Sequence, residues 1–128
     1  MGASEPLIRP LVVIAALLGG TAVVLGAFGA HALQERLTEQ ALATWHTGVQ
    51  YHFIHALALL LVAALWAHLA NGWAAASAVA FVIGILLFSG SLYALALGAP
   101  RILGAIAPLG GTAFILGWAG LAIAAWRG

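Results

Sequence analysis

From Gln40 to Pro100 the chain runs for 61 residues without a formally charged side chain. Ordinary soluble domains carry about a quarter charged residues, so a segment like this cannot wrap a water-soluble globule. All seven charges of the 128-residue sequence lie outside it. Glu5 and Arg9 stand near the start, Glu35, Arg36 and Glu39 form one cluster, and Arg101 and Arg127 are single. Two further uncharged stretches result, Pro10 to Gln34 and Ile102 to Trp126. With 65% hydrophobic and 5% charged residues, polar groups are too few to cover a domain in water. Disorder needs the opposite composition. Four arginines, no lysine and a formal net charge of +1 leave no basic patch, so nucleic acid is not an expected partner. The absence of cysteine removes disulfides, thiolate nucleophiles and cysteine-based metal or iron–sulfur sites. An integral membrane protein remains, with membrane lipids as its first partners.

A spanning helix needs about 20 apolar residues at about 1.5 Å rise each. The first and last uncharged stretches each fit one pass. The middle one fits two passes with a turn at 68–73, where Asn71-Gly72 is a turn signal. The prediction is an all-α polytopic protein: a single domain, 1–128, with four helices near 10–30, 48–69, 73–98 and 102–126 in a compact bundle. The first apolar run exceeds the usual 7–15 residues of a signal peptide's core, so it reads as a retained span despite the cleavage-like Ala30-His31-Ala32. Both termini and the 70–73 turn then share one side, A. The 31–47 connection and Arg101 share the other, B. Arginines tie at two against two, Arg9 and Arg127 against Arg36 and Arg101, so the positive-inside rule assigns no orientation. Within the connection, Leu33, Leu37, Ala41 and Trp45 recur every four residues, and Thr38-Glu39 resembles a helix start. This predicts a short amphipathic helix at the side-B interface between helices 1 and 2, with Trp45 at headgroup depth.

Lipid tails are as apolar as leucine, so helices in a bilayer need small residues for close approach. Helix 3 has such a seam in Ser77, Ala80, Gly84, Ser91, Ala94 and Gly98. Helix 4 has one in Ala113, Gly117, Gly120 and Ala124, and helix 1 offers Ala22, Gly26 and Ala30. If one seam closes the bundle, another is free to face a second copy, which predicts a homo-oligomer. Polar residues at membrane depth are the informative ones. With helix 2 starting near Gly48, His55 lies about 10 Å along it, and Gln50, Tyr51 and His52 lie one turn back. Ser89, Ser91 and Tyr93 on helix 3, and Pro108 and Thr112 on helix 4, fall in the same side-B half. These nine residues form the predicted ligand-binding set.

Two of them carry alternatives. Pro108 lacks an amide hydrogen and would free the Gly104 carbonyl; this marks either a broken helix at a binding site or a packing kink. His55 is either functional or a hydrogen-bonded structural imidazole. It is expected to be neutral, enclosed by protein, and partnered by Ser89, Ser91, Tyr93, Thr112 or the Gly104 carbonyl. His46, His52 and His55 have no neighbouring carboxylate or cysteine to complete a metal site, and His31, His55 and His68 lie at unmatched depths for haem. No cofactor is expected. Every carboxylate sits outside the spans, so no nucleophile–base–acid set can be assembled, which argues against an enzyme.

Four blocks resemble the YgdD-like family of small bacterial inner-membrane proteins. They are Gly26-Ala27-Phe28-Gly29-Ala30-His31-Ala32-Leu33; Trp45 to His52 with His55 to Leu60; Leu87-Phe88-Ser89-Gly90-Ser91-Leu92-Tyr93; and Leu103 to Thr112 with Gly117-Trp118. The family is one of unknown function, similar to small eukaryotic transmembrane proteins. The resemblance implies four helices in a bacterial inner membrane and carries no activity or residue roles. Two functions stay open. The polar half-membrane pocket could bind or transport a small polar or amphiphilic molecule, or protons. Alternatively, the chain is a structural or assembly factor that packs against other membrane proteins or lipids.

Overall fold

The computed structural model describes residues 5–128; the first four residues of the expected single domain lie outside the described residues. Four helices are long and apolar enough to cross a bilayer: Leu7–His31, Glu39–Ala64, Asn71–Ala96 and Arg101–Arg127. The architecture is the expected all-α four-span bundle, with boundaries moved for local physical reasons.

The first span is a single helix, α1 (Glu5–His31). Turns over 32–37 lead to α2 (Glu39–Ala64), which runs unbroken. Thr38 is its N-cap and accepts the Ala41 amide through its side-chain oxygen, with Glu39 in the positive first turn. The helix start at Thr38-Glu39 is therefore where the sequence places it. The separate interfacial helix is not: the segment is the first part of α2. Trp45 accordingly turns into the bundle. It is buried, its Nε1–H donates to the Leu25 carbonyl of α1 at 2.9 Å, and its ring packs on Phe28 and Tyr93. Gly29 makes room for it, since a Cβ there would sit 2.6 Å from the indole.

After α2 a single 3₁₀ turn, Trp66–His68, reverses the chain. Asn71-Gly72 does not form the turn but opens α3 (Asn71–Gly84). The third span then passes through a π-helical turn, Ile85–Ser89, into α4 (Gly90–Ala96). Just past this turn, the Ser91 hydroxyl donates back to the Leu87 carbonyl within it. The span ends in a Schellman motif, with Ala99 N–H on the Ala94 carbonyl, Gly98 N–H on the Leu95 carbonyl, and Gly98 at φ +100°. Pro100 follows, and a 3₁₀ segment, Arg101–Ala105, leads into α5 (Ala107–Arg127). Pro108 thus lies in the first turn of α5, where an amide hydrogen is not needed. It starts a helix rather than breaking one, and both readings of a mid-helix kink fall away.

The side assignment holds. Ala70 N–H donates to the Ala124 carbonyl at 2.9 Å, which puts the α2–α3 turn beside the C-terminus. At the other end Leu33, Trp45 and Ala96 form one buried cluster. α1 packs on α2, α5 packs on α3, and α2 runs against the third span. The α3–α5 interface is built from aromatic rings seated over glycines. Phe81 covers Gly117, Phe114 covers Gly84, and the Phe88 backbone approaches Gly110. Ser77 completes it, its hydroxyl donating to the Gly117 carbonyl at 2.6 Å. The small-residue seams of helices 3 and 4 are therefore used in part against each other within one protomer.

Candidate ligand-binding groove

α2 and α5 touch where His55 meets Phe114 and Trp118. Between them lies an open groove of about 640 Å³. Gln50, Tyr51, Ile54 and His55 form one wall, Phe88 from the π turn contributes, and Pro108, Gly111, Thr112, Phe114, Ile115 and Trp118 form the other. The α5 residues 108, 111, 112, 115 and 118 follow one helical face, stepping by three and four. The width has a simple origin: Gly110, one position before Gly111, is drawn onto Phe88, which holds α5 against the third span and leaves its flank open towards α2.

His55 closes the inner wall. It is only 3% exposed, and its ring stacks on Phe114 with centroids 3.6 Å apart and planes 11° apart. Trp118 Nε1–H donates to His55 Nε2 at 3.0 Å. An indole nitrogen can only donate, so Nε2 must carry a lone pair. The proton then sits on Nδ1, which donates to the Tyr51 carbonyl one turn back at 2.7 Å. His55 is therefore a neutral imidazole of defined tautomer, enclosed as expected and bonded to another helix. The partner is Trp118 rather than any of the five expected groups. Depth explains the error. Because α2 starts at Glu39, His55 lies about 24 Å from its side-B end and about 14 Å from its side-A end. Trp118 is likewise about 14 Å from the side-A end of α5. The two meet at mid-membrane, and the groove runs from there towards side B.

Five of the nine expected residues thus meet in the groove: Gln50, Tyr51, His55, Pro108 and Thr112. The other four do not. Ser89 is fully buried and donates to the Gly48 carbonyl of α2 at 2.7 Å, tying the π turn to that helix. Ser91 serves the Leu87 carbonyl. His52 points to the other side of α2, where its Nδ1 pairs with the Tyr93 hydroxyl at 2.8 Å. Its Nε2 is buried without a hydrogen-bond partner. The histidines of α2 do not converge either, since His46 is exposed and His52 and His55 have separate partners. Among the described residues no group of three or more His, Cys, Asp or Glu could hold a metal ion.

The groove contains no charged side chain. Thr112 donates to its own helix, to the Pro108 carbonyl at 2.9 Å. The side-chain hydrogen bonds of α2 are made by Thr44, Trp45, Thr47, His52 and His55. The Gln50 amide and the Tyr51 hydroxyl, both on exposed residues, make no side-chain hydrogen bond among the described residues. Aromatic faces line the space around them: Tyr51 packs on Phe88 at 4.8 Å and lies near-parallel to Phe114 at 6.2 Å. Trp118, Phe114 and Phe88 were not among the expected residues. The three-and-four spacing from Pro108 to Trp118 was the available signal.

Four apolar helices of membrane-spanning length in one bundle define a class, that of small polytopic membrane proteins. Residues 25–111 match the family described as "Protein of unknown function (DUF423)", and the chain belongs to it. It is 46% identical to the Bacillus subtilis UPF0382 membrane protein YwdK over 118 residues, covering 91% of this chain and 96% of that protein. A Haemophilus influenzae UPF0382 membrane protein is also 46% identical, over 89% of this chain and 91% of its own length. The Escherichia coli K12 UPF0382 inner membrane protein YgdD is 38% identical over 93% and 91%. No solved structure matches the chain. The protein is thus a multi-pass member of a bacterial inner-membrane family, as the sequence blocks implied.

Proposed function

We propose that the protein binds a small amphiphilic molecule, which reaches the α2/α5 groove from the bilayer. One observation carries the reading. The groove keeps two unengaged hydrogen-bonding side chains, Gln50 and Tyr51, on a surface otherwise built from aromatic and aliphatic groups. Polar side chains at membrane depth are costly and rare unless they have a partner or a use. A pocket of several hundred Å³ with few polar groups in an apolar wall is also the usual form of a small-molecule site.

The proton branch of the transport reading loses support. His55 has both ring nitrogens engaged, so taking up a proton at Nε2 requires breaking the Trp118 bond. The alternative, a purely structural bundle, accounts well for His52, Ser77, Ser89, Ser91 and Tyr93, each of which has an internal partner. It leaves Gln50 and Tyr51 unexplained.

Filling the groove tests the proposal. A Cβ at Gly111 would meet nothing closer than the Phe88 ring edge at 4.0 Å, so Gly111→Leu places its side chain in the groove without displacing backbone. Native mass spectrometry after mild detergent extraction should show a non-covalent adduct on the wild-type protein that Gly111→Leu loses. Identical adducts on both proteins would refute the proposal.

A further inference from the structure

The same groove specifies the chemistry of its occupant. We infer that this is a lipid-borne quinone: an uncharged, planar ring with carbonyl oxygens on an apolar tail. The inference rests on the groove reading above and adds the ligand class.

Charge excludes most membrane lipids. Gln50, Tyr51, Pro108, Thr112 and the apolar residues of the walls bring no ion, and His55 is held neutral by the Trp118 indole. A phosphate or ammonium head would be stripped of water here with no counter-charge, which is costly at this depth. The head must therefore be neutral.

Hydrogen bonding narrows the class again. The Tyr51 hydroxyl and the Gln50 carboxamide N–H groups are donors with no role on α2. Carbonyl oxygens on the ligand would satisfy them. The wall supplies the third constraint. Tyr51, Phe88, Phe114 and Trp118 surround the donors with π faces and edges. Such a wall favours a flat ring over a glycerol ester, because offset and edge contacts between rings add to simple burial. The π turn that carries Phe88 into this wall is itself a feature often found at functional sites. The groove opens along the α2/α5 flank, so a tail can remain among the lipid chains while the ring is held.

The probe is decylubiquinone, added to wild-type protein in phosphatidylcholine nanodiscs, with quenching of tryptophan emission as the readout. Quenching should show a saturable component. Gln50→Leu and Tyr51→Phe should each weaken it at least threefold, and the double variant at least tenfold, with unchanged melting of the protein. Dioctanoylglycerol, neutral but not planar, should compete at least tenfold less well, and dioctanoyl phosphatidylglycerol not at all. If dioctanoylglycerol competes as well as decylubiquinone, the quinone assignment falls while the groove reading stands. Quenching that never saturates also overturns the assignment. Saturable binding that Gly111→Leu leaves intact overturns both, because the quinone then sits elsewhere.

Discussion

Gly110 and Gly111 are neighbours in the first turns of α5, yet replacing each with alanine should have opposite effects. At Gly110 an added Cβ falls 2.7 Å from the Phe88 Cα and closer still to the Phe88 amide nitrogen. Both are backbone atoms of the π turn, so no rotamer change relieves the contact. Ordinary contact begins near 3.4 Å, so α5 must move from the third span by at least 0.7 Å, the difference between those two distances. That would also loosen the neighbouring Phe114–Gly84 and Phe81–Gly117 seats. Overpacking of this kind costs about 1–3 kcal/mol. The upper part of that range applies here, offset in part by a helix-propensity gain of up to about 1 kcal/mol for Gly→Ala. At Gly111 only the propensity gain remains. Gly110→Ala should therefore lose about 1–2 kcal/mol net, and Gly111→Ala should gain up to about 1 kcal/mol. Unfolding in mixed dodecylmaltoside and sodium dodecyl sulfate micelles, followed by circular dichroism, measures both. Equal midpoints for the two variants would refute the packing argument and the origin assigned to the groove's width.

How far the sequence revealed this arrangement depended on the scale of the signal. Four spans, their sidedness and the Thr38 cap follow from charge placement and a local hydrogen bond, which are properties of short segments. The errors came from properties of pairs. Trp45 looks like part of a separate interfacial helix until Gly29 on α1 is seen to accept its ring. Pro108 looks like a kink until the 3₁₀ segment before it moves the helix start to Ala107. The π turn at Ile85–Ser89 has no marker in composition, because it is imposed by tertiary contacts of Phe88 and Ser89. An offset of about nine residues in the start of α2 changed the depth of His55, and with it the identity of its partner. Five of the nine expected residues still line one groove, since polar groups within one half of a bilayer are few.

Other outcomes follow from the same geometry. Trp118→Phe keeps a ring against Phe81 but leaves His55 Nε2 without its donor, and should cost about 1–3 kcal/mol in the same unfolding assay. Nitrogen-15 NMR of the labelled protein at pH 7 should show His55 as the neutral tautomer protonated at Nδ1, and an imidazolium signature would contradict the assigned hydrogen bonds. Because the chain contains no cysteine, single cysteines report topology directly. Ala70→Cys and Gly128→Cys should react with a membrane-impermeant maleimide from one side, and Gln34→Cys from the other.

Occupancy of the α2/α5 groove by an uncharged amphiphile can be read in the living membrane. The most direct measurement is photo-crosslinking in cells with p-benzoylphenylalanine in place of Thr112, using Leu17 on the lipid-facing surface of α1 as the control position. Mass spectrometry of the purified adducts should find one uncharged, tail-bearing species enriched at position 112 and bulk phospholipid at position 17. The same phospholipid distribution at both positions would contradict the claim.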